Sequence, residues 1–291
     1  MKTLVDWLCA QRYRTVIFAT ALTPILPMLT ISLMTLDTVR RGPRPALLGA
    51  IAGVGVIVLL ASLTGGSVPV LVGVAATSMV VGIATGALLR VAGVLVLAFQ
   101  GTVLACFLVA LGVLLFGPSP EVLFAPLIEE LVALVEAGGA PPEQLEMVRG
   151  WSSILFGIFA ALVLAQLLAS LVLSYWWLKL ARDEPGFGAE FRSLKLGRVL
   201  GIPAMVLISL GLVWDAPLIQ NLTPVALFGF LFQGLSVMHA WAHAKQWHPG
   251  LIVPVYVLLL TPLTGAAVLG LSAVGLLDNI FDLRAPLRAQ S

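Results

Sequence analysis

Apolar runs almost free of charge, each about the length that crosses a hydrocarbon core of about 30 Å, fill the chain from Val16 to Ile280. With 60% hydrophobic and 10% charged residues, 291 residues have too little surface to hide that much apolar side chain in a water-soluble core. The bilayer must act as solvent. The runs are too long and too uniformly apolar for barrel strands, which alternate with period two, so helices are the remaining way to satisfy the backbone in lipid. The predicted fold is all-α, a polytopic transmembrane helical bundle.

Runs of about 20 apolar residues place eight segments, at 15–37, 45–64, 67–89, 91–116, 150–179, 198–214, 222–244 and 250–281. The chain 1–291 is read as a single integral membrane domain with an extracytoplasmic amphipathic segment over 120–147 and a cytoplasmic loop over 180–197. Basic residues set the orientation. Arg40, Arg41, Arg44, Arg90, Lys179, Arg182, Arg192, Lys195, Arg198 and Lys245 share one side of a simple eight-pass scheme, while the acidic connection from Glu121 to Glu146 and the turns Thr64–Ser67 and Asp215–Asn221 take the other. That scheme leaves Lys2, Arg12, Arg14, Arg149, Arg284 and Arg288 on the outer side. A second topology removes most of the conflict: the first and last segments, broken by Pro24 and Pro27 and by Pro254 and Pro262, become re-entrant pairs of half-helices, and both termini face the cytoplasm.

The basic N-terminus has the look of a secretory signal, but the run continues through Pro24 and Pro27 to Arg40 without a small-residue cleavage site, so it is expected to stay in the membrane. Cys9 and Cys106 fall at different depths and are expected to be free thiols. Between Glu121 and Glu136, Phe124, Leu127, Ile128, Leu131, Leu134 and Val135 recur at helical spacing, away from Glu129, Glu130 and Glu136. This predicts a helix along the outer interface, stopped by Gly138 and Gly139, with a second helix starting after Pro141 and Pro142.

Few groups offer chemistry. His239 and His243 are one helical turn apart, the spacing of two metal ligands, yet the helix supplies no third ligand, and the histidines with Trp241 and Trp247 read as an interfacial belt. No metal or cofactor is expected. The segments hold almost no ionisable residues, which argues against ion-coupled transport, voltage sensing and intramembrane proteolysis. There is no H-E-x-x-H, G-x-S-x-G or Walker A sequence, so an enzyme is the poorest of the broad classes. A formal charge of +2, scattered along the chain, gives no nucleic-acid footprint. Small residues four apart (Gly49 and Gly53, Gly73 and Thr77, Gly82 and Gly86) permit close helix packing, internal or against a partner. Gln100, Gln166, Asn221 and Gln233 are available to line a polar cavity or to join helices.

The densest pattern runs from Tyr175 to Arg192. Trp176 and Trp177 anchor an interface, Pro185–Gly186 turns the chain, Phe187 and Phe191 dip back, and Glu190 and Arg192 are candidates to pair with the ends of other spans. The stretches YWWLKLARDEPGFGAEFRSLKLGRVLG, LFGFLFQGLSVMHAWA and AVGLLDNIFDLRAP, with LPMLTISLMTLDTVRRGPRPALLGAIAG earlier, resemble the YybS-like family of uncharacterised bacterial membrane proteins. That family is considered distantly similar to the substrate-binding membrane components of energy-coupling-factor transporters. The resemblance implies a fold relationship and a bacterial cytoplasmic membrane rather than a reaction. Its recurring positions correspond to Trp177, Phe187, Glu190, Phe191, Gln233, Gly234, His239, Gly275, Asp278 and Arg284.

Two functions are therefore expected. One is a component that captures a small molecule or lipid between its helices and relies on a separate energising partner. The other is a structural or regulatory membrane protein that docks a membrane-protein partner or a second copy of itself. A polar pocket reaching Gln233 and His239 would favour the first, and solid packing with an apolar surface groove the second. Asp278 and Arg284 are expected to clamp the C-terminal helix, as an exposed pair worth about 0 to 1 kcal/mol.

Overall fold

The computed structural model describes residues 2–64 and 68–288. Residues 65–67 of the expected Thr64–Ser67 turn, and the side chains of Cys9, Arg12 and Arg288, lie outside the described residues. In chain order the helices are α1 (Lys2–Ala10), α2 (Arg12–Leu22), α3 (Pro27–Arg41), α4 (Pro43–Thr64), α5 (Val68–Ala92), α6 (Leu95–Phe116), α7 (Pro120–Ala137), α8 (Pro142–Gly150), α9 (Leu155–Arg182), α10 (Phe187–Phe191), α11 (Gly197–Gly211), α12 (Pro217–Ala244), α13 (Val253–Leu258), α14 (Thr264–Phe281) and α15 (Ala285–Arg288). No strand occurs among the described residues.

Six of these helices, α4, α5, α6, α9, α12 and α14, are long and apolar enough to cross a membrane, as in a multi-pass membrane protein. The sequence predicts eight segments, and the difference has local causes. Segment 15–37 is two helices, because the chain turns over Thr23–Leu26 and Pro27 opens α3. Segment 198–214 is a helix of only 15 residues. Segment 250–281 is the short α13, a turn around Pro262, and the 18-residue α14. Proline removes a backbone donor and clashes with the preceding turn, so each break falls beside one.

The chain divides into two compact units, residues 1–102 with 166–194 and residues 103–165 with 195–291. In the first unit α2 and α3 form a hairpin. At its tip the Thr23 and Thr30 hydroxyls lie 3.2 Å apart and each donates to the Ala19 carbonyl, so the broken turn keeps its polar groups satisfied. Helix α3 runs parallel to α5: Ile31 lies against Gly82, Thr35 against Gly86, and Arg90 Nη1 donates to Val39 O at 3.0 Å. A Cβ on Gly82 would stand 2.8 Å from Ile31 O, and one on Gly86 2.7 Å from Thr35 O. That pair of glycines therefore serves internal packing. Ser170 and Ser174 tie α9 to α3 by donating to Met28 O and Ser32 O at 3.1 and 3.0 Å. At 1.5 Å per residue α5 is about 37 Å long and α3 about 22 Å, so the hairpin tip stops roughly 10 to 15 Å short of the N-terminal end of α5. The open end of the hairpin lies with Arg40, Arg41 and Arg90.

In the second unit α14 packs along α12. Ser272 Oγ donates to Leu227 O at 2.8 Å, Gly275 faces the Phe230 carbonyl, and Gln233 Nε2 donates to Asp278 Oδ2 at 2.7 Å. Partner numbers rise together, so the two helices are parallel, and residues 245–263 must retrace the length of α12 between them. Gly234 lies against the Leu271 carbonyl, leaving no room for a Cβ at Gly234 or at Gly275. Asn221 joins α12 to α9: its Oδ1 accepts from Gly157 N–H at 2.8 Å and its Nδ2 donates to Ser153 O at 2.7 Å. Helices α7 and α8 close on Ile128, Val132 and Val148, with Leu131 and Val135 against them. Leu127 and Leu134, expected on the same apolar face, are instead exposed.

Candidate functional site

In the first unit a groove of about 510 Å³ runs between α2 and α4. Ile17, Ala21 and Pro24 line it from α2 and the turn that follows, and Ala52, Gly53, Val56 and Leu60 from α4. Gly53 is what lets the helices approach, since a Cβ there would stand 2.5 Å from Thr20 Oγ1 of α2. The only hydroxyls on the lining are those of Tyr13 and Thr20, and Thr20 donates to Val16 O at 2.8 Å, within its own helix. Among the described residues no charged side chain lines the groove. The proline break creates it: α2 has 11 residues beside 22 in α4, so α4 keeps exposed leucines such as Leu59 and Leu60. At the hairpin's open end Arg14 donates to Trp7 O at 2.9 Å, and its guanidinium lies 4.5 Å from the Trp7 ring centroid.

Of the residues singled out from sequence, the Tyr175–Arg192 stretch assembles in the first unit. Tyr175 Oη donates to Glu190 Oε2 at 2.6 Å, and Lys179 Nζ lies 3.3 Å from Glu190 Oε1. Glu190 thus pairs with α9, the helix just before it, and its Oε2 also accepts from the Leu95 N–H at 3.5 Å, at the start of α6, so it meets the end of another span as the sequence suggested. Phe187 stacks on Phe191 at 6.2 Å and tilts against Trp176 at 6.4 Å, which explains the two loop aromatics. Gly186, at φ +103°, supplies the left-handed turn before α10. Arg192 closes α10, its backbone N–H donating to Gly188 O. Trp177 packs into a core that includes Leu8, Leu33, Met34 and Met79. Its Nε1 is buried, with no acceptor among the described residues. Lys2 pairs with Asp183 at 2.7 Å, and this hydrogen bond raises the Lys2 pKa.

Gln233, Asp278 and Arg284 come together in the second unit. Arg284 Nη2 donates to Asp278 Oδ2 at 2.6 Å, Nε to Oδ1 at 3.1 Å, and Nη1 to Ser236 Oγ at 3.1 Å. Gln233 Oε1 accepts from Leu196 N–H at 2.9 Å, at the start of α11. The expectation of an exposed pair is corrected: the Asp278 side chain is 2% exposed and that of Arg284 10%. The near-absence of ionisable groups is qualified in the same way, since Asp278 lies within α14 and the buried Asp37, paired with Arg41 at 3.1 Å, within α3. Gln233 is fully buried, with both ends of its amide bonded, so it joins helices and lines no cavity. His239 Nε2 lies 2.9 Å from Tyr256 Oη, linking α12 to α13, whereas His243 is exposed in the last turn of α12, its carbonyl accepting from Gln246 Nε2 at 2.9 Å.

The groove itself escaped the sequence reading. Gly53 in a small-residue pair and the prolines at 24 and 27 were visible separately, but only the shortened helix brings them to one surface. Comparison with family models, with curated proteins and with solved structures finds no match.

Proposed function

We propose that this chain is a multi-span component of a bacterial cytoplasmic membrane that holds an apolar, chain-like ligand, a lipid or a molecule resembling one, in the groove between α2 and α4. The observation that carries this reading is the uncharged lining of that groove beside the shortened α2. Lipid-facing recesses fill with whatever apolar chain the bilayer offers, and about 510 Å³ falls within the range of ligand pockets. The α2–α3 hairpin enters and leaves by the face carrying Arg40, Arg41 and Arg90, which is the cytoplasmic one by the distribution of basic residues. If the ligand is moved, a separate energising subunit drives the movement, in keeping with the proposed kinship to the YybS-like family. The reading is non-enzymatic.

A second reading is a docking protein whose groove receives a helix of a partner or of another copy. The collision-tight packing of α12 on α14 and the bonded amide of Gln233 favour it, because they leave that helix pair no polar cavity. Photo-crosslinking the protein in membranes with a phospholipid bearing a diazirine on its acyl chain separates the two. The ligand reading predicts labels concentrated on Ile17, Ala21, Val56 and Leu60 and lost in Ala52→Trp. Labels spread evenly over every exposed apolar helix face, unchanged by Ala52→Trp, would overturn it.

A further inference from the structure

Helices α3, α5 and α9 all finish at one end of the first unit, and there a hollow of about 330 Å³ is lined by Arg40, Arg90, Lys179 and Arg182, with Glu184 the one carboxylate among its lining residues. Its floor includes the buried Leu89 and Leu178. One cation in the last turn of each helix is what the helix dipole and the positive-inside rule ask for. Neither requires four of them to converge on the same recess, where like charges repel.

The pairing inside the hollow leaves an excess. Lys179 Nζ lies 3.1 Å from Glu184 Oε2 and 3.3 Å from Glu190 Oε1, so its charge is already answered. Arg182 Nη1 is 4.0 Å from Glu184 Oε1, a looser pair, and Arg90 spends Nη1 on Val39 O. Three guanidinium groups, from Arg40, Arg90 and Arg182, therefore face one space with a single shared carboxylate. At the rim Gly93 turns the chain from α5 to α6 at φ +72°, and nothing lies within 4 Å of where its Cβ would be, so the mouth stays open.

We propose that this hollow binds a phosphate-bearing anion. Guanidinium groups present paired donors that match phosphate oxygens, and a recess with an apolar floor strengthens each such bond relative to open water. An anionic phospholipid headgroup and a phosphate-bearing solute share this chemistry. The site stands apart from the α2–α4 groove and uses none of its residues.

The test uses the full chain in two kinds of nanodisc. In mixed phosphatidylglycerol and phosphatidylcholine discs, native mass spectrometry reads which lipid stays bound. In phosphatidylcholine discs, inorganic pyrophosphate is titrated against intrinsic tryptophan fluorescence, Trp176 and Trp177 being on the helix that lines the hollow. The variants are Arg40→Gln with Arg182→Gln, both exposed and so compatible with folding, and Arg44→Gln, an exposed arginine of α4 that does not line the hollow. Selective retention of phosphatidylglycerol, weakened about tenfold or more in the double variant and unchanged in Arg44→Gln, establishes the lipid source. Pyrophosphate binding with the same pattern establishes the solute source. No preference for either anion, or an equal loss in Arg44→Gln, overturns the proposal.

Discussion

Removing the Asp278 carboxylate should be among the most damaging single changes in the second unit. In Asp278→Ala the Arg284 guanidinium loses its partner at Nε and Nη2 while its side chain stays 10% exposed, and Gln233 loses its acceptor at 2.7 Å. Breaking a buried pair by deleting one partner costs about 3 to 5 kcal/mol, because the remaining charge stays desolvated and loses its counter-ion. At about 2 to 4 °C per kcal/mol, a loss of about 3 kcal/mol lowers the unfolding midpoint by roughly 6 to 12 °C. The assay is thermal unfolding in one detergent, followed by tryptophan fluorescence, for Asp278→Ala, Arg284→Ala and the apolar double variant Asp278→Leu with Arg284→Met. The double variant removes both desolvated charges and should recover most of the loss, since well-packed apolar replacements of buried pairs are often neutral or stabilising. A midpoint for Asp278→Ala within about 1 °C of wild type, or a double variant as unstable as the sum of the singles, would refute the clamp. Loss of ligand retention in Asp278→Ala at unchanged protein level and unchanged midpoint would instead give the carboxylate a functional role.

The other predictions use the same unfolding assay. Gly234→Ala drives a methyl into the Leu271 carbonyl and should cost about 1 to 3 kcal/mol, whereas Gly270→Ala, with open space at its Cβ, should gain up to about 1 kcal/mol; equal effects would remove the account of the α12–α14 contact. Trp177→Phe keeps an aromatic ring in its core and discards a buried donor that has no acceptor among the described residues, so it should change stability by less than about 1 kcal/mol. Trp177→Ala should cost about 3 to 5 kcal/mol. Asn221→Leu strands the Gly157 N–H and should cost about 1 to 3 kcal/mol; a neutral result would mean that the α9–α12 joint does not depend on it.

Hydropathy alone made the helical class legible, because no other structure satisfies the backbone in lipid across runs this long. The breaks at Pro24, Pro27 and Pro262 were visible as well, but their consequence was not. Pattern does not say how the pieces of a broken segment pack, and that came from register, with Ile31 beside Gly82 and Ser272 beside Leu227. Glycines show a similar split. Gly82 and Gly86 announced themselves by spacing, whereas Gly234 and Gly275 sit on different helices and meet only because those helices run parallel. Asp278 and Arg284 are six residues apart, close enough to suggest a pair, yet their burial depends on Gln233, Ser236 and Leu196 arriving from elsewhere. Neither the groove nor the cluster of arginines at the ends of α3, α5 and α9 could be read locally, since each joins surfaces distant in sequence.

The proposal that the α2–α4 groove holds an apolar ligand is tested most directly by determining the structure of the protein in lipid nanodiscs by electron cryomicroscopy. A continuous, elongated density lying over Gly53 between α2 and α4, absent in Ala52→Trp, is the expected result. A groove closed by α2 collapsing onto α4, or filled by a helix of a second copy of the chain, would contradict it.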